Sequence, residues 1–277
     1  MPCHLATHPL LSHKITLLRN EVTQPHDFRR VLKEITFYLG YEATRDLKLS
    51  ECTIRTPNNV EATGHRISEN ISFIPILRAG SGMTDGMLDL IPKASIHHIG
   101  MYRAKESLMP GRRKKLIYIF SCFLSSYRRI HMPCDFNLIY WTSFFVSIMI
   151  VQYYNKLPRG QVCDIAYILD PCIATSGTMT ATISIVKKWG AKKIVIIAAI
   201  GAQKGVDEVL SKHPDVDIHI AAIDSVLSSE GMIIPGLGDA GDRQFCTPDY
   251  EDTSELSPSK RQADHNHAAG SKKKGKK

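Results

Sequence analysis

Two nucleotide-binding signatures are missing from this chain of 277 residues. It has no Gly-x-x-x-x-Gly-Lys-Ser/Thr and, after a strand-length apolar run, no Gly-x-Gly-x-x-Gly, which excludes a Walker-type loop and a dinucleotide fingerprint. Cysteine pairs are missing too. The seven cysteines, from Cys3 to Cys246, are scattered with no Cys-x-x-Cys, and the N-terminus carries no signal-peptide pattern. Free thiols in a reducing, cytoplasmic setting are therefore expected, in place of a disulfide framework or a zinc site. A basic core is the third absence. The formal net charge is +8, yet residues 111–150 hold six Arg or Lys against one Asp, and residues 249–277 hold seven against five acids. What remains is nearly neutral, so the body has no field to steer nucleic acid.

What the chain does have is concentrated between residues 162 and 189. An apolar run, Ile165 to Leu169, ends in an acid, Asp170. Pro171-Cys172-Ile173 leads into a turn of small and hydroxyl residues, Ala174-Thr175-Ser176-Gly177-Thr178, after which a helix pattern begins. Strand, acid, small-residue turn and helix N-terminus make a phosphate-binding device. Stacked N–H groups and the helix dipole face the anion, and hydroxyls add donors. Asp170 would orient a sugar hydroxyl or a metal-bound water beside that phosphate. Thr, Ser and Gly also populate ordinary turns, so these residues alone leave a purely structural turn open. Cys172 sits inside the turn and is the one thiol whose reactivity would matter; its residue type favours structural filler.

Elsewhere the periodicity sketches an α/β protein. Phe28 to Leu39 places Val31, Leu32, Ile35 and Leu39 at helical spacing, and Gly40 follows as a C-cap signal. Ile71 to Leu77 reads as a strand, turned by Arg78-Ala79-Gly80-Ser81-Gly82, with a short helix from Met83 to Leu90 closed by Pro92. Ile96 to Tyr102 reads as one further strand. The strand from Ile165, a helix Thr180 to Trp189 with Gly190 at its C-terminus, and a strand Ile194 to Ile200 form a β-α-β unit. Val206 to Lys212 and Ile218 to Ile223 repeat it. This alternation implies a mostly parallel sheet covered on both faces. Ligands then sit outside the carboxyl ends of strands, where both glycine-bearing turns fall. From about Asp249 the chain has almost no apolar residues and ends in a lysine run, so a disordered Lys-rich tail is expected over 249–277.

Four segments spread over residues 8–248 carry a more specific pattern. The first is His8-Pro9-Leu10 through Lys14-Ile15-Thr16-Leu17-Leu18-Arg19, continuing at Tyr41-Glu42-Ala43-Thr44-Arg45-Asp46-Leu47. The second is Pro75-Ile76-Leu77-Arg78-Ala79-Gly80-Ser81-Gly82-Met83, running on to His97-His98-Ile99-Gly100-Met101-Tyr102-Arg103. The third is the acid, turn and helix already described. The fourth is Gly231-Met232-Ile233-Ile234-Pro235-Gly236-Leu237-Gly238-Asp239-Ala240-Gly241-Asp242. In this order they resemble uracil phosphoribosyltransferase.

The resemblance implies a type I phosphoribosyltransferase fold over residues 1–248, with a mostly parallel sheet flanked by helices and a flexible flap. It implies a pyrimidine-salvage reaction, uracil + 5-phosphoribosyl 1-diphosphate → UMP + diphosphate, with Mg²⁺ and no dedicated set of protein metal ligands. Carried over residue by residue, Arg78 and Arg103 match diphosphate-contacting arginines. Asp170, Pro171, Cys172, Ile173, Ala174, Thr175, Ser176, Gly177 and Thr178 match the phosphoribosyl loop. Ile233, Gly238, Asp239 and Ala240 match the uracil site, with Asp239 also near the phosphoribosyl donor. Asp170, Arg103 and Asp239 are the residues expected to serve catalysis. A homo-oligomer and GTP as an effector are implied as well; membranes and nucleic acids are not. The rival readings are a non-catalytic nucleotide-binding or regulatory protein on the same fold, and an inactive splice product.

The chemistry suits these residue types. Breaking the anomeric C–O bond builds positive charge on the sugar and negative charge on the departing diphosphate, which fixed donors stabilise. Arg forks match phosphate oxygens, and no nucleophilic side chain is needed because uracil N1 attacks directly and positioning dominates. A Gly-rich turn from Gly236 to Gly241 can read the base through backbone groups.

The chain departs from the family in two places. Ser176 stands where the family's turn usually has the first of two glycines; if that position needs positive φ, Ser costs about 1 kcal/mol. More drastically, the pattern breaks off after Leu108-Met109-Pro110 and resumes at Tyr153-Tyr154-Asn155-Lys156-Leu157-Pro158. Residues 111–150 form an insertion in the flap, with Arg112-Arg113-Lys114-Lys115 and an uncharged run from Phe136 to Tyr154 long enough for a membrane helix. A membrane anchor is disfavoured, because both ends must return to one loop. A genuine lid extension or interaction hairpin remains open. A translated retained intron is the reading that best explains a clean break and resumption.

Overall fold

The computed structural model describes residues 2–104, 149–158, 160 and 163–247. The order is β1 (Cys3–Leu5), α1 (Pro9–Arg19), α2 (Pro25–Ala43), β2 (Leu49–Arg55), β3 (Glu61–Ile67), β4 (Ile71–Leu77), a 3-10 turn (Ala79–Met83), α3 (Thr84–Leu90), β5 (Ser95–Ile96) and β6 (Ile99–Ala104). It continues through β7 (Met149–Asn155), β8 (Ile165–Leu169), β9 (Cys172–Ile173), α4 (Gly177–Trp189), β10 (Lys193–Ala202), α5 (Gln203–Lys212) and β11 (Asp217–Asp224). The short β12 (Val226–Leu227), β13 (Ile233–Ile234) and α6 (Ala240–Phe245) close the described part.

Alternation along the central strands sets the layers, because successive side chains leave a strand on opposite faces. Phe73, Tyr167, Leu169, Val195 and Ile197 join Leu18, Phe28, Leu32, Ile35 and Met87 in one core, under α1, α2 and α3. Their neighbours Ile74, Ile76, Ile168 and Ile196 join Met179, Ile183, Val186, Val206 and Val209 in the other, under α4 and α5. Between the two cores lies a sheet of order β1-β11-β10-β8-β4-β6-β7, with β5 beside β4 and β9 beside β10. Its pairs are parallel except β6 with β7, so this is the expected mostly parallel sheet flanked by helices. Chain direction is shared, so the loops after β4, β8, β10 and β11 gather at one edge.

The local expectations hold with four corrections. Gly40 does not end its helix: α2 continues to Ala43, and Gly40 is buried where a Cβ would lie 2.4 Å from the Met87 sulfur. Close packing of α2 on α3 selected that glycine, a cause that a C-cap signal cannot be told from in sequence. The strand read from Ile96 to Tyr102 is broken into β5 and β6, which pair with different ends of β4. The helix read from Thr180 starts three residues earlier, at Gly177, so the turn itself supplies the first helical residues. Met149 and Ile150, the last two residues of the expected insertion, pair with Ala104 and Arg103 in the β6–β7 ladder. Gly190 at the end of α4 has φ 105°, as its C-cap role requires. The flap tip, nearly all of the insertion and the Lys-rich tail lie outside the described residues. Among those residues no helix is long and apolar enough to cross a membrane.

Candidate active site

β8 is apolar and buried along its whole length, and it delivers Asp170 to the carboxyl edge of the sheet. The Asp170 N–H still bonds Ile197 O at 3.3 Å, which fixes the residue at the end of the ladder. Pro171 O then accepts from the N–H groups of Ala199 and Ile200 at 3.1 and 3.0 Å. Cys172 and Ile173 form β9 beside β10, so Cys172 belongs to a short strand and not to the turn proper. Its thiol is pushed well up by burial, and further by the carboxylates of Asp170 and Asp239. That shift makes Cys172 a poor nucleophile, in agreement with its reading as filler. Cys172 and Ile233 both pack against the buried cluster that holds Leu237 and Ala240, so the third and fourth motifs share one core.

The turn closes on α4 with an unusual residue at its hinge. Ser176, the N-cap position, has φ 64° and ψ −25°, the left-handed region that side chains other than Gly, Asn and Asp seldom enter. The residue is 3% exposed, and its hydroxyl is buried without a hydrogen-bond partner among the described residues. The turn is backed by α5: a Cβ on Gly205 would lie 2.0 Å from Ala174 O, so glycine lets the helix touch the loop backbone. On the other side the 3-10 turn after β4 comes equally close, with a Cβ on Gly80 placed 2.2 Å from Leu169 O.

Arg78 leaves the end of β4 through a cis peptide after Leu77. Its guanidinium donates to Asp242 Oδ1 at 2.7 Å and to Thr247 Oγ1 at 3.1 Å. Asp242 is held below the ordinary carboxylate range by its bond from Thr247 and then by Arg78. Asp239 caps α6, its Oδ1 accepting from the N–H groups of Gly241 and Asp242 at 2.8 and 3.0 Å. The second and fourth motifs therefore meet through Arg78. Arg103 lies on β6 opposite Ile150, past the point where β6 pairs with β4, and so at the same edge. Ile233 sits on β13, while Gly238, Asp239 and Ala240 form the turn into α6, with φ 75° at Gly238.

Sequence reasoning passed over the residues that hold this fourth segment in place. Arg19 forks onto Asp224 at 2.6 and 2.8 Å and donates to Gly236 O at 3.0 Å. Arg243 donates to the carbonyls of Leu18, Leu237 and Asn20 and lies 4.5 Å above the Phe28 ring. Gln244, fully buried, donates to Ala79 O and Ala240 O. One signal was available: Asp224 closes an apolar strand at its carboxyl end, the same pattern that marked Asp170. A cleft of about 470 Å³ opens at the opposite, amino edge between Asp46, Lys48, Glu69, Asp164 and Lys192, and none of the candidate site residues lines it.

The sequence pattern of the family described as uracil phosphoribosyltransferase matches residues 5–117 and 133–247. The chain belongs to the uracil phosphoribosyltransferase family. The family match passes over 118–132, inside the expected insertion. A uracil phosphoribosyltransferase of Roseiflexus sp. (strain RS-1) is 41% identical over 243 residues, covering 88% of this chain and 97% of that protein. One of Desulfitobacterium hafniense (strain DSM 10664 / DCB-2) is 38% identical over 244 residues, 88% of this chain and 98% of its own. The solved structure of the AQ2163 protein of Aquifex aeolicus superposes with a TM-score of 0.71 at 29% identity, over 90% of this chain and all of that one. The fold is thus that of the phosphoribosyltransferase family, as the resemblance implied.

Proposed function

We propose that this chain transfers the phosphoribosyl group of 5-phosphoribosyl 1-diphosphate to uracil, giving UMP and diphosphate. The observation that supports it is the meeting of three separated motifs, the second, third and fourth, at one sheet edge. There the acid-turn-helix loop follows β8, and Arg78, leaving β4, donates to Asp242 beside the Asp239 turn. In this reading the N-terminal N–H groups of α4, with Thr175 and Thr178, hold the 5-phosphate. Asp170 orients the ribose hydroxyls. Arg78 and Arg103 take the diphosphate, which departs with the electron pair of the anomeric C–O bond as uracil N1 attacks. Backbone groups of Ile233, Gly238 and Ala240 read the base, and Asp239 stands between base and donor.

Mg²⁺ fits this donor set, since it binds through one or two carboxylates plus substrate phosphates, and Asp170 and Asp239 are at hand. When bound it would neutralise charge gathering on the diphosphate. A homo-oligomer is proposed too. Among the described residues the β2–β3 ribbon pairs with no other strand, and it exposes Leu49, Ile54 and Val60; a lone hairpin is marginal in water. Light scattering reads that mass. GTP as an effector is proposed on the family resemblance alone, and a cytoplasmic setting on the scattered, unpaired cysteines; added GTP should raise the rate. The deciding experiment is UMP synthesis from labelled uracil by the purified chain. Cytosine, whose 4-amino group reverses one donor/acceptor position, should react about 10⁴-fold less efficiently or worse. Equal rates for cytosine or a purine base would remove the uracil assignment.

A further inference from the structure

We infer that Arg19 and Asp224 form a positioning clamp that sets the base-reading turn, so that they govern affinity for uracil without touching it. The inference rests on the proposal that Ile233, Gly238, Asp239 and Ala240 read the base. The two residues are 205 positions apart in sequence, and nothing local brings them together. Asp224 ends β11 and is 8% exposed; Arg19 is the last residue of α1. Their fork, at 2.6 and 2.8 Å, is the bidentate geometry in which a guanidinium and a carboxylate fix each other in direction as well as distance.

What makes this pair more than a structural tie is its third member. Arg19 also donates to Gly236 O at 3.0 Å, and Asp224 Oδ2 accepts from Gly236 N–H at 3.1 Å. Both backbone groups of one residue are therefore held by the two halves of one ion pair. Gly236 has φ 61°, and a Cβ there would lie 2.1 Å from Ile233 O, so the turn is folded tightly back on its own start. Two residues later the chain reaches Gly238, Asp239 and Ala240. A turn that reads a flat base through its own N–H and C=O groups works only if those groups are held to within a fraction of an ångström. The clamp does so from behind, where no substrate needs to pass.

The test is steady-state kinetics of the full-length protein and its Asp224→Asn and Arg19→Lys variants, with each substrate varied in turn and melting followed alongside. Asp224→Asn should raise KM for uracil about tenfold or more, the factor carried by one hydrogen bond to a charged group, and leave KM for 5-phosphoribosyl 1-diphosphate within about twofold. Arg19→Lys keeps the charge but loses the fork, and should raise KM for uracil by a smaller factor. A purely structural tie would lower the melting temperature and move both KM values together or neither, and either result overturns the clamp. If Asp224→Asn does not fold, Arg19→Lys decides by the same split. A wild-type protein that makes no UMP would instead refute the proposed function, a separate outcome from an active enzyme whose variants keep their KM for uracil.

Discussion

Replacing Ser176 by Gly should stabilise this protein. Ser176 has φ 64°, where an L side chain costs roughly 1–2 kcal/mol relative to glycine. Glycine gives back about 0.5–1 kcal/mol through the greater freedom of its unfolded chain. The buried hydroxyl, without a hydrogen-bond partner, adds a desolvation cost of roughly 1–3 kcal/mol that the substitution removes. A small void offsets part of that gain, so a net stabilisation of about 1–2 kcal/mol is expected. For a domain of this size that is a rise in melting temperature of roughly 2–6 °C. Differential scanning fluorimetry of wild type, Ser176→Gly and Ser176→Ala separates the contributions. Alanine drops the hydroxyl but keeps the left-handed strain, so it should fall between the other two. UMP synthesis should survive in Ser176→Gly, because the N–H proposed to face the phosphate is retained. A glycine variant that melts below wild type would refute this reasoning.

Three further outcomes are expected. Asp170→Asn should keep its melting temperature yet lose about 10²–10³ in turnover, the usual effect of removing one preorganised electrostatic contact; near-normal UMP synthesis would end the role given to Asp170. Asp224 is held below the ordinary carboxylate range, first by its bond from Arg19, so its stabilising effect is full above the unfolded value near ~4 and fades as pH falls through the lower folded one. The melting-temperature gap between wild type and Asp224→Asn should therefore shrink on acidification from about pH 6 to 3, and a constant gap would contradict the assignment. Deleting residues 111–148, which spares the Met149 and Ile150 partners of β6, should raise soluble yield and UMP formation at equal protein. A soluble, active full-length chain beside a dead deletion would make the insertion a working part of the enzyme.

The sequence by itself determined the architecture and pointed to one half of the candidate site. Alternating apolar runs and helical spacing are local, and each strand from Ile71, Ile165, Ile194 and Ile218 is found where its pattern places it. The acid closing Ile165–Leu169 and the small-residue turn were legible for the same reason, since strand, turn and helix follow one another without interruption. The tertiary structure alone decided what the distant segments do to each other. Gly40 read as a helix end because sequence cannot show that Met87 will press against it. Arg19 and Asp224 read as an ordinary helix-end cation and a strand-end acid until the fold brought them to 2.6 Å, with both polar groups of Gly236 between them. Periodicity encodes which face of an element is buried. It does not encode which element arrives there, and the turn proposed to read the base depends on that arrival.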